Sequence, residues 1–260
     1  MYERKTMNIA AQRFTWLYAK SLLKLKYRYT SLGFLWNFLE PALFLTVLSV
    51  VFSVVNRMNT SDYAVFLFGA LVPWRYFEKV VTTCMDSIAG GEWLLKKMYV
   101  SPLALPLTRW IVASVEFLFS LVIVFALFAV LKDNWTVHLL ILPLAILPWA
   151  MLGLGIGLVC AVLYTFFRDI RTIVQMVLML SFFSSPILFK ADLFHDHSLQ
   201  SLIVRYHPIT YFAALFQKPV YYGMWPGIDD WLVTTTVGTV SLLVGLGLVN
   251  KYKDKFYFYL

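Results

Sequence analysis

The chain has 260 residues, 60% of them hydrophobic and 14% charged, with a formal net charge of +8. Soluble domains carry about 25% charged residues, so this composition excludes an ordinary soluble fold. It points to an all-α membrane protein whose apolar runs of roughly 20 residues cross a ~30 Å hydrocarbon core.

In chain order, residues 7–30 are expected to form an amphipathic helix lying on the membrane. Met7, Ala11, Phe14, Tyr18, Leu22, Leu25 and Tyr29 follow three- and four-residue steps, while Arg13, Lys20, Lys24 and Arg28 fall on another face. A first span is predicted over 34–55, with Glu40-Pro41 inside it, and a second over 63–84. The second is interrupted by Pro73, Arg75, Glu78 and Lys79; Arg75 and Glu78 are i,i+3 neighbours able to pair. Residues 85–107 are polar and punctuated by Pro and Gly, so they should leave the membrane. Within them, 88–99 can form a short helix across the membrane plane. Its "EWLLKK" sets Trp93, Leu94 and Leu95 between Glu92 and the pair Lys96 and Lys97, an apolar and charged surface that invites a partner protein. Further spans are predicted over 110–131, which contains Glu116, then 137–165, 170–189 and 231–250. Between the fourth and fifth lies the charged turn Arg168, Asp169, Arg171. Residues 190–230 are mixed, and their apolar pieces are too short to span, so they are read as short re-entrant or interfacial helices. No repeat or soluble module interrupts the chain, and residues 1–260 are read as a single transmembrane domain.

Most of the 22 Lys and Arg residues fall in the N-terminal arm, the loops after the second and fourth spans, and the C-terminal tail. By the positive-inside rule those segments, and both termini, are cytoplasmic. The basic residues cluster beside spans and no nucleic-acid motif accompanies them, so nucleic acid is not an expected partner.

Chemistry-bearing motifs are sparse. Cys84 and Cys160 read as small apolar packing residues. His195 and His197 read as solvated loop residues, and no metal site is expected. No phosphate-binding loop is present, so transport energy must come from another subunit or an ion gradient. Glu40 and Glu116 lie near the cytoplasmic ends of their spans, which disfavours a proton relay. No hydrolytic constellation appears, and the chain is not expected to be an enzyme. Gly153 and Gly157 form a small-xxx-small pair suited to close helix packing. The many aromatics serve lipid contact and interfacial belts. Trp36, Phe38, Phe44, Phe52, Phe182 and Phe183 are alternatively pore-lining candidates, where flat rings stack on sugars or seal a wide channel.

Four segments in order carry a resemblance: "RYTSLGFLWNFLEPALFL" (28–45), "FLFGALVPWRYF" (66–77), "LLKKMYVSPLALPL" (94–107) and, most strongly, "FFRDIRTIVQMVLMLSFFSSPILF" (166–189). Together they resemble the membrane permease of bacterial ABC exporters for cell-surface polysaccharides of the O-antigen, capsule or teichoic-acid type. His207-Pro208 stands where that family often has Asn-Pro. The resemblance implies a six-helix exporter permease in the bacterial inner membrane, with short periplasmic gate helices before the last span. It implies a homodimer working with two copies of a separate ATPase, which would hold the ATP and Mg; no cofactor is expected in this chain. The implied substrate is a glycan on a polyprenyl pyrophosphate. The implied ATPase-coupling surfaces contain Ile88, Glu92, Trp93, Leu94, Lys96, Lys97, Arg168, Asp169 and Arg171. A dense anionic head group near the cytoplasmic interface would be met by Lys20, Lys24, Lys26 and Arg28, which otherwise bind ordinary anionic lipid. A drug or lipid permease and a non-transporting membrane scaffold are the alternative readings.

Overall fold

A computed structural model of the chain describes residues 2–28, 35–98, 100–131, 137–190, 204 and 206–259, and among them there are helices and no strands. Helix α1 is Tyr2–Tyr27, α2 Trp36–Val55, α3 Thr60–Gly90, α4 Glu92–Lys97 and α5 Ala104–Leu131. A 3-10 turn, Val137–Ile141, leads into α6, Leu142–Phe166; α7 is Ile170–Ser184, α8 Pro208–Gln217, α9 Ile228–Tyr252 and α10 Phe256–Tyr259.

Each predicted apolar run is helical, but three ends differ. The α3 helix runs six residues' worth of polar sequence beyond its predicted end at 84, because "MDSIAG" keeps the helical period with Met85, Ser87 and Ile88 buried. The α5 helix starts at Ala104, inside the segment read as a loop, since Pro106 falls in its first turn, where its missing N–H costs nothing. The α7 helix is only 15 residues long and stops at Ser184, ahead of Pro186. Among the described residues, three helices are long and apolar enough to cross a membrane, or four if the α2–α3 pair counts as one broken span.

The core is built around α3, which is buried at most positions from Tyr63 to Ile88 and keeps one polar face with Arg75, Glu78, Lys79 and Asp86. It packs against α5, α6 and α2, and α6 packs in turn against α9. Small residues on α6 permit this. A Cβ on Gly157 would lie 2.8 Å from Cys84 Cβ of α3, and one on Gly155 would lie 2.4 Å from the Ser241 backbone of α9. Gly153 and Gly157 thus face α3, where the sequence placed a close helix contact, and Gly155 opens a second contact on the other side.

The α2–α3 connection is sharp. Met58 N–H donates to Ser53 O (2.9 Å) and Arg57 N–H to Val54 O (3.2 Å), with Arg57 at φ 52°. This is a Schellman ending with Arg where Gly is usual. The chain bends by 117° between the two helices, short of folding them flat together. The V they form is open toward the start of α2.

The Ser-Ser-Pro stretch that ends α7 is buried from Ser185 to Leu188. Leu188 O accepts from Asn56 Nδ2 (3.1 Å) and Tyr63 Oη (2.8 Å), and Pro186 O accepts from Gln217 Nε2 (3.0 Å). Irregular backbone at this depth is tolerated because three side chains satisfy its carbonyls. Helix α8 is wedged behind it. Phe212 is fully buried, and its carbonyl accepts from Trp149 Nε1 at 3.0 Å. His207 caps α8: its Nδ1 accepts from Ile209 N–H at 3.2 Å, the bond that an Asn side chain makes at an N-cap.

Candidate functional site

The V between α2 and α3 is closed by the end of α1 and the middle of α5, and encloses a cavity of about 400 Å3. Such a volume falls within the range of small-ligand pockets. Its walls carry Lys26 of α1, Glu40 of α2, Arg75, Glu78 and Lys79 of α3, and Glu116 of α5, beside Phe44, Phe68, Leu71, Val72 and Phe117. Six ionisable side chains from four helices meet in a chain with few charges, which marks a functional site by default in a membrane protein.

Glu116 is the hub. Its side chain is 3% exposed, and Oε1 accepts from Lys26 Nζ and Tyr27 Oη, both at 2.6 Å. Oε2 faces Lys79 Nζ in a second ion pair. A buried carboxylate is tolerated when such donors satisfy it. One acidic residue therefore joins the surface helix α1 to the core helices α3 and α5. Beside it Arg75 pairs with Glu78 (3.2 Å), as their i,i+3 spacing predicts, and its guanidinium lies 4.2 Å from the Phe44 ring centroid. Tyr76 Oη shares a hydrogen bond with Ser114 Oγ (2.8 Å) on the same α3–α5 seam.

Of the head-group residues named from the sequence, the structure brings only Lys26 to this cavity; Lys20, Lys24 and Arg28 are exposed along α1. Only part of the apolar stripe of α1 packs on the rest of the chain. Thr15 and Ala19 are buried, Phe14 and Tyr18 pack beside the core, and Leu25 is exposed. Small residues let α1 approach α5 closely while larger apolar ones face outward. The sequence reading did not join Lys79 and Glu116. The signal was there: two helices with opposite charges inside otherwise apolar runs.

The aromatic candidates separate. Phe44 lines the cavity, Trp36 and Phe183 are exposed, and Phe52 and Phe182 are half-buried against the core. The Phe182 ring lies 5.8 Å from Trp74 and 5.3 Å from Phe183. The Phe38 side chain lies outside the described residues, as do His195 and His197.

Among the coupling residues, Ile88 (0% exposed) and Leu94 (4%) are core residues. Their side chains pack inside this chain. Trp93 and Lys97 are exposed, and Glu92 pairs with Lys96 at 2.6 Å on α4. In the α6–α7 turn Asp169 is exposed, and the Arg168 guanidinium sits 5.0 Å from the Tyr164 ring centroid. Arg171 Nη2 reaches Asp86 Oδ2 at 3.1 Å, tying the first turn of α7 to the end of α3 beside α4. Among the described residues no group of three or more His, Cys, Asp or Glu side chains is placed to hold a metal ion.

No family model matches the chain. It is 28% identical, over 90% of its length and 90% of the relative's, to the O-antigen export system permease protein of Myxococcus xanthus. It is 27% identical over the same shares to a protein of that description from Klebsiella pneumoniae. The chain resembles polysaccharide-export permeases. The likeness extends, at 24% identity over 86% of the chain and 87% of the relative, to the polysialic acid transport protein of Escherichia coli. The matched 235 residues are nearly the whole chain, so the permease-like region includes the charged cavity, α4 and the α6–α7 turn, not a single motif. Spanning helices and this likeness together describe a multi-pass membrane protein.

Proposed function

We propose that the chain is the channel-forming, non-hydrolysing subunit of an ATP-driven exporter of an O-antigen-like polysaccharide carried on a polyprenyl pyrophosphate across the bacterial inner membrane. The observation that carries this reading is the similarity along nine-tenths of the chain to O-antigen export permeases. On this reading α2, α3, α5, α6 with its leading 3-10 turn, α7 and α9 are six passes. The basic loops and both termini face the cytoplasm, and the α8 region is the periplasmic gate.

Two copies of the chain form the pore, and two copies of a separate ATPase, which hold ATP and Mg, dock on α4 and the α6–α7 turn. The exposed residues Trp93, Lys97, Arg168 and Asp169 supply that contact. The Arg171–Asp86 pair passes movement of the turn to α3, the central helix of the core. The exposed basic stripe Lys20, Lys24 and Arg28 neutralises the pyrophosphate as it approaches.

The test uses the chain co-expressed with its ATPase subunit. An Arg168→Ala/Arg171→Ala double variant should retain membrane insertion and expression but lose at least about tenfold in glycan export and in substrate-stimulated ATP hydrolysis, a barrier change near 1.4 kcal/mol. Unchanged export in that variant, or ATP hydrolysis by the isolated chain, overturns the assignment. Export of a drug or lipid with no dependence on the glycan overturns the substrate.

A further inference from the structure

The charges in the cavity balance in number but not in space. Lys26, Arg75 and Lys79 face Glu40, Glu78 and Glu116. Lys26 and Lys79 share the single carboxylate of Glu116, which leaves one unit of positive charge at that wall. Arg75 and Glu78 neutralise each other. Glu40, in the second turn of α2, makes no ion pair with any described residue and is exposed to the open V. The cavity therefore has a positive pole and a negative pole, with apolar walls between them from Phe44, Leu71, Val72 and Phe117.

A ligand that suits this arrangement carries no net charge, has an anion and a cation a few bonds apart, and continues into an apolar part. We propose that the cavity binds the headgroup of a zwitterionic phospholipid with a primary ammonium, of the phosphatidylethanolamine class. The phosphate lies against Lys26 and Lys79, and the ammonium donates to Glu40. A primary ammonium offers three N–H donors to a carboxylate; the methylated ammonium of a choline headgroup offers none. An anionic headgroup would satisfy the lysine pole but add charge beside Glu40 and Glu78 with no further cation to offset it, which the low dielectric of the site penalises. Lipid rather than a soluble zwitterion follows from the surroundings. The next turns of α2 present Leu43 and Val47 outward, 60% and 61% exposed, and give acyl chains a surface continuous with the cavity. This site is independent of the export reading, since the lipid is a resident of the membrane and not the cargo.

Native mass spectrometry of the full chain with its ATPase subunit, released from bilayers containing equal amounts of phosphatidylethanolamine, phosphatidylglycerol and phosphatidylcholine, reads the retained lipid directly. The wild type should retain phosphatidylethanolamine at least about tenfold over either of the others. Glu40→Gln should abolish that preference, and Glu40→Lys should transfer it to phosphatidylglycerol. Glu40 is exposed and unpaired among the described residues, so both variants should fold, with an unchanged thermal transition. Equal retention of the three lipids by the wild type, a wild-type preference for phosphatidylglycerol, or a phosphatidylethanolamine preference that survives Glu40→Gln each overturns the proposal. Glycan export measured on the same preparations separates the two readings. In the wild type, absent export with the lipid preference present counts against the exporter alone, and absent preference with export present counts against this site alone.

Discussion

Helices α6 and α7 are consecutive, both strongly apolar, and separated only by the turn at 167–169, yet they are used in opposite ways. Along α6 most residues from Leu142 to Thr165 are buried, and Gly153, Gly155 and Gly157 bring α3 and α9 to backbone contact. Along α7 only Leu178 is buried, while Ile173, Met176, Val177, Met179, Leu180 and Phe183 are exposed. Hydrophobicity does not explain the difference, because in lipid an apolar side chain gains little by turning inward. Residue size does: glycine allows close approach and the van der Waals contact that holds membrane helices together, whereas α7 carries no glycine and its bulk points out. The chain thus has one finished side, built on α3, α6 and α9, and one side that ends in apolar surface.

The strongest way to break this contrast is to fill the α6–α9 contact. A Cβ at residue 155 would lie 2.4 Å from Ser241 C and 2.5 Å from Leu242 N, both backbone atoms that cannot rotate away. Gly155→Val should therefore exceed the ~1–3 kcal/mol of ordinary overpacking. The expected outcome is a large drop in the thermal transition of the purified chain and in the yield of folded protein. The same substitution at Gly247, where a Cβ meets nothing within 4 Å, is the control and should change little. Similar losses at both positions would show that α9 is not seated on α6.

A second effect, about 1 kcal/mol, concerns α8, which wedges between the two regions through Phe212 on Trp149 and Gln217 on Pro186. Partial burial holds the His207 imidazole below its ordinary value, and its neutral Nδ1 caps the helix. The folded chain thus favours the neutral ring. The contribution is fully present above about pH 6.5, the unfolded value, and is lost as pH falls through 6.5 toward the depressed folded value. His207→Asn, which caps without titrating, should remove that part of the acid dependence while keeping stability at pH 8. His207→Ala should remove the stability at pH 8 as well. A wild-type acid profile retained in His207→Asn would assign the dependence to other groups.

How far the sequence reached follows the same line between local and tertiary information. The apolar runs, the break in apolar character after the second run, the charged turn at 168–171 and the Gly153–Gly157 contact are properties of short windows, and they are visible there. The Arg75–Glu78 pair is local too. The Glu116 hub is not: Lys26 is 90 residues away from it in the chain, and only the packing of α1 on α5 brings them together. The face by which α1 packs on the chain is tertiary information too. A stripe of large apolar residues marks the buried face in water, whereas beside a bilayer Thr15 and Ala19 turn inward and Trp16 and Leu17 stay 61% and 62% exposed. Ile88 and Leu94 sit in a polar stretch of sequence, yet α3 and α4 fold their side chains under.

The smallest effect on the chain itself sharpens the contrast most. Met179 and Leu180 are 63% and 69% exposed, so truncating either to Ala should change the stability of a single chain by no more than about 0.5 kcal/mol. In a membrane those surfaces face either lipid or a second copy, and the two differ in a measurable way. If the outward side of α7 contributes to a pore shared by two chains, Met179→Ala/Leu180→Ala should leave the thermal transition of the monomeric chain in place and lower the dimer fraction counted by single-molecule photobleaching in bilayers. A thermal transition that drops by several degrees would mean that α7 packs within the chain, and the difference from α6 would vanish. An unchanged dimer fraction would instead leave α7 facing lipid and shift the shared surface to the equally exposed face of α2, where Val47, Val50 and Val54 point outward. The contrast between the helices survives that second result because it rests on residue size, and only the assignment of what covers α7 changes.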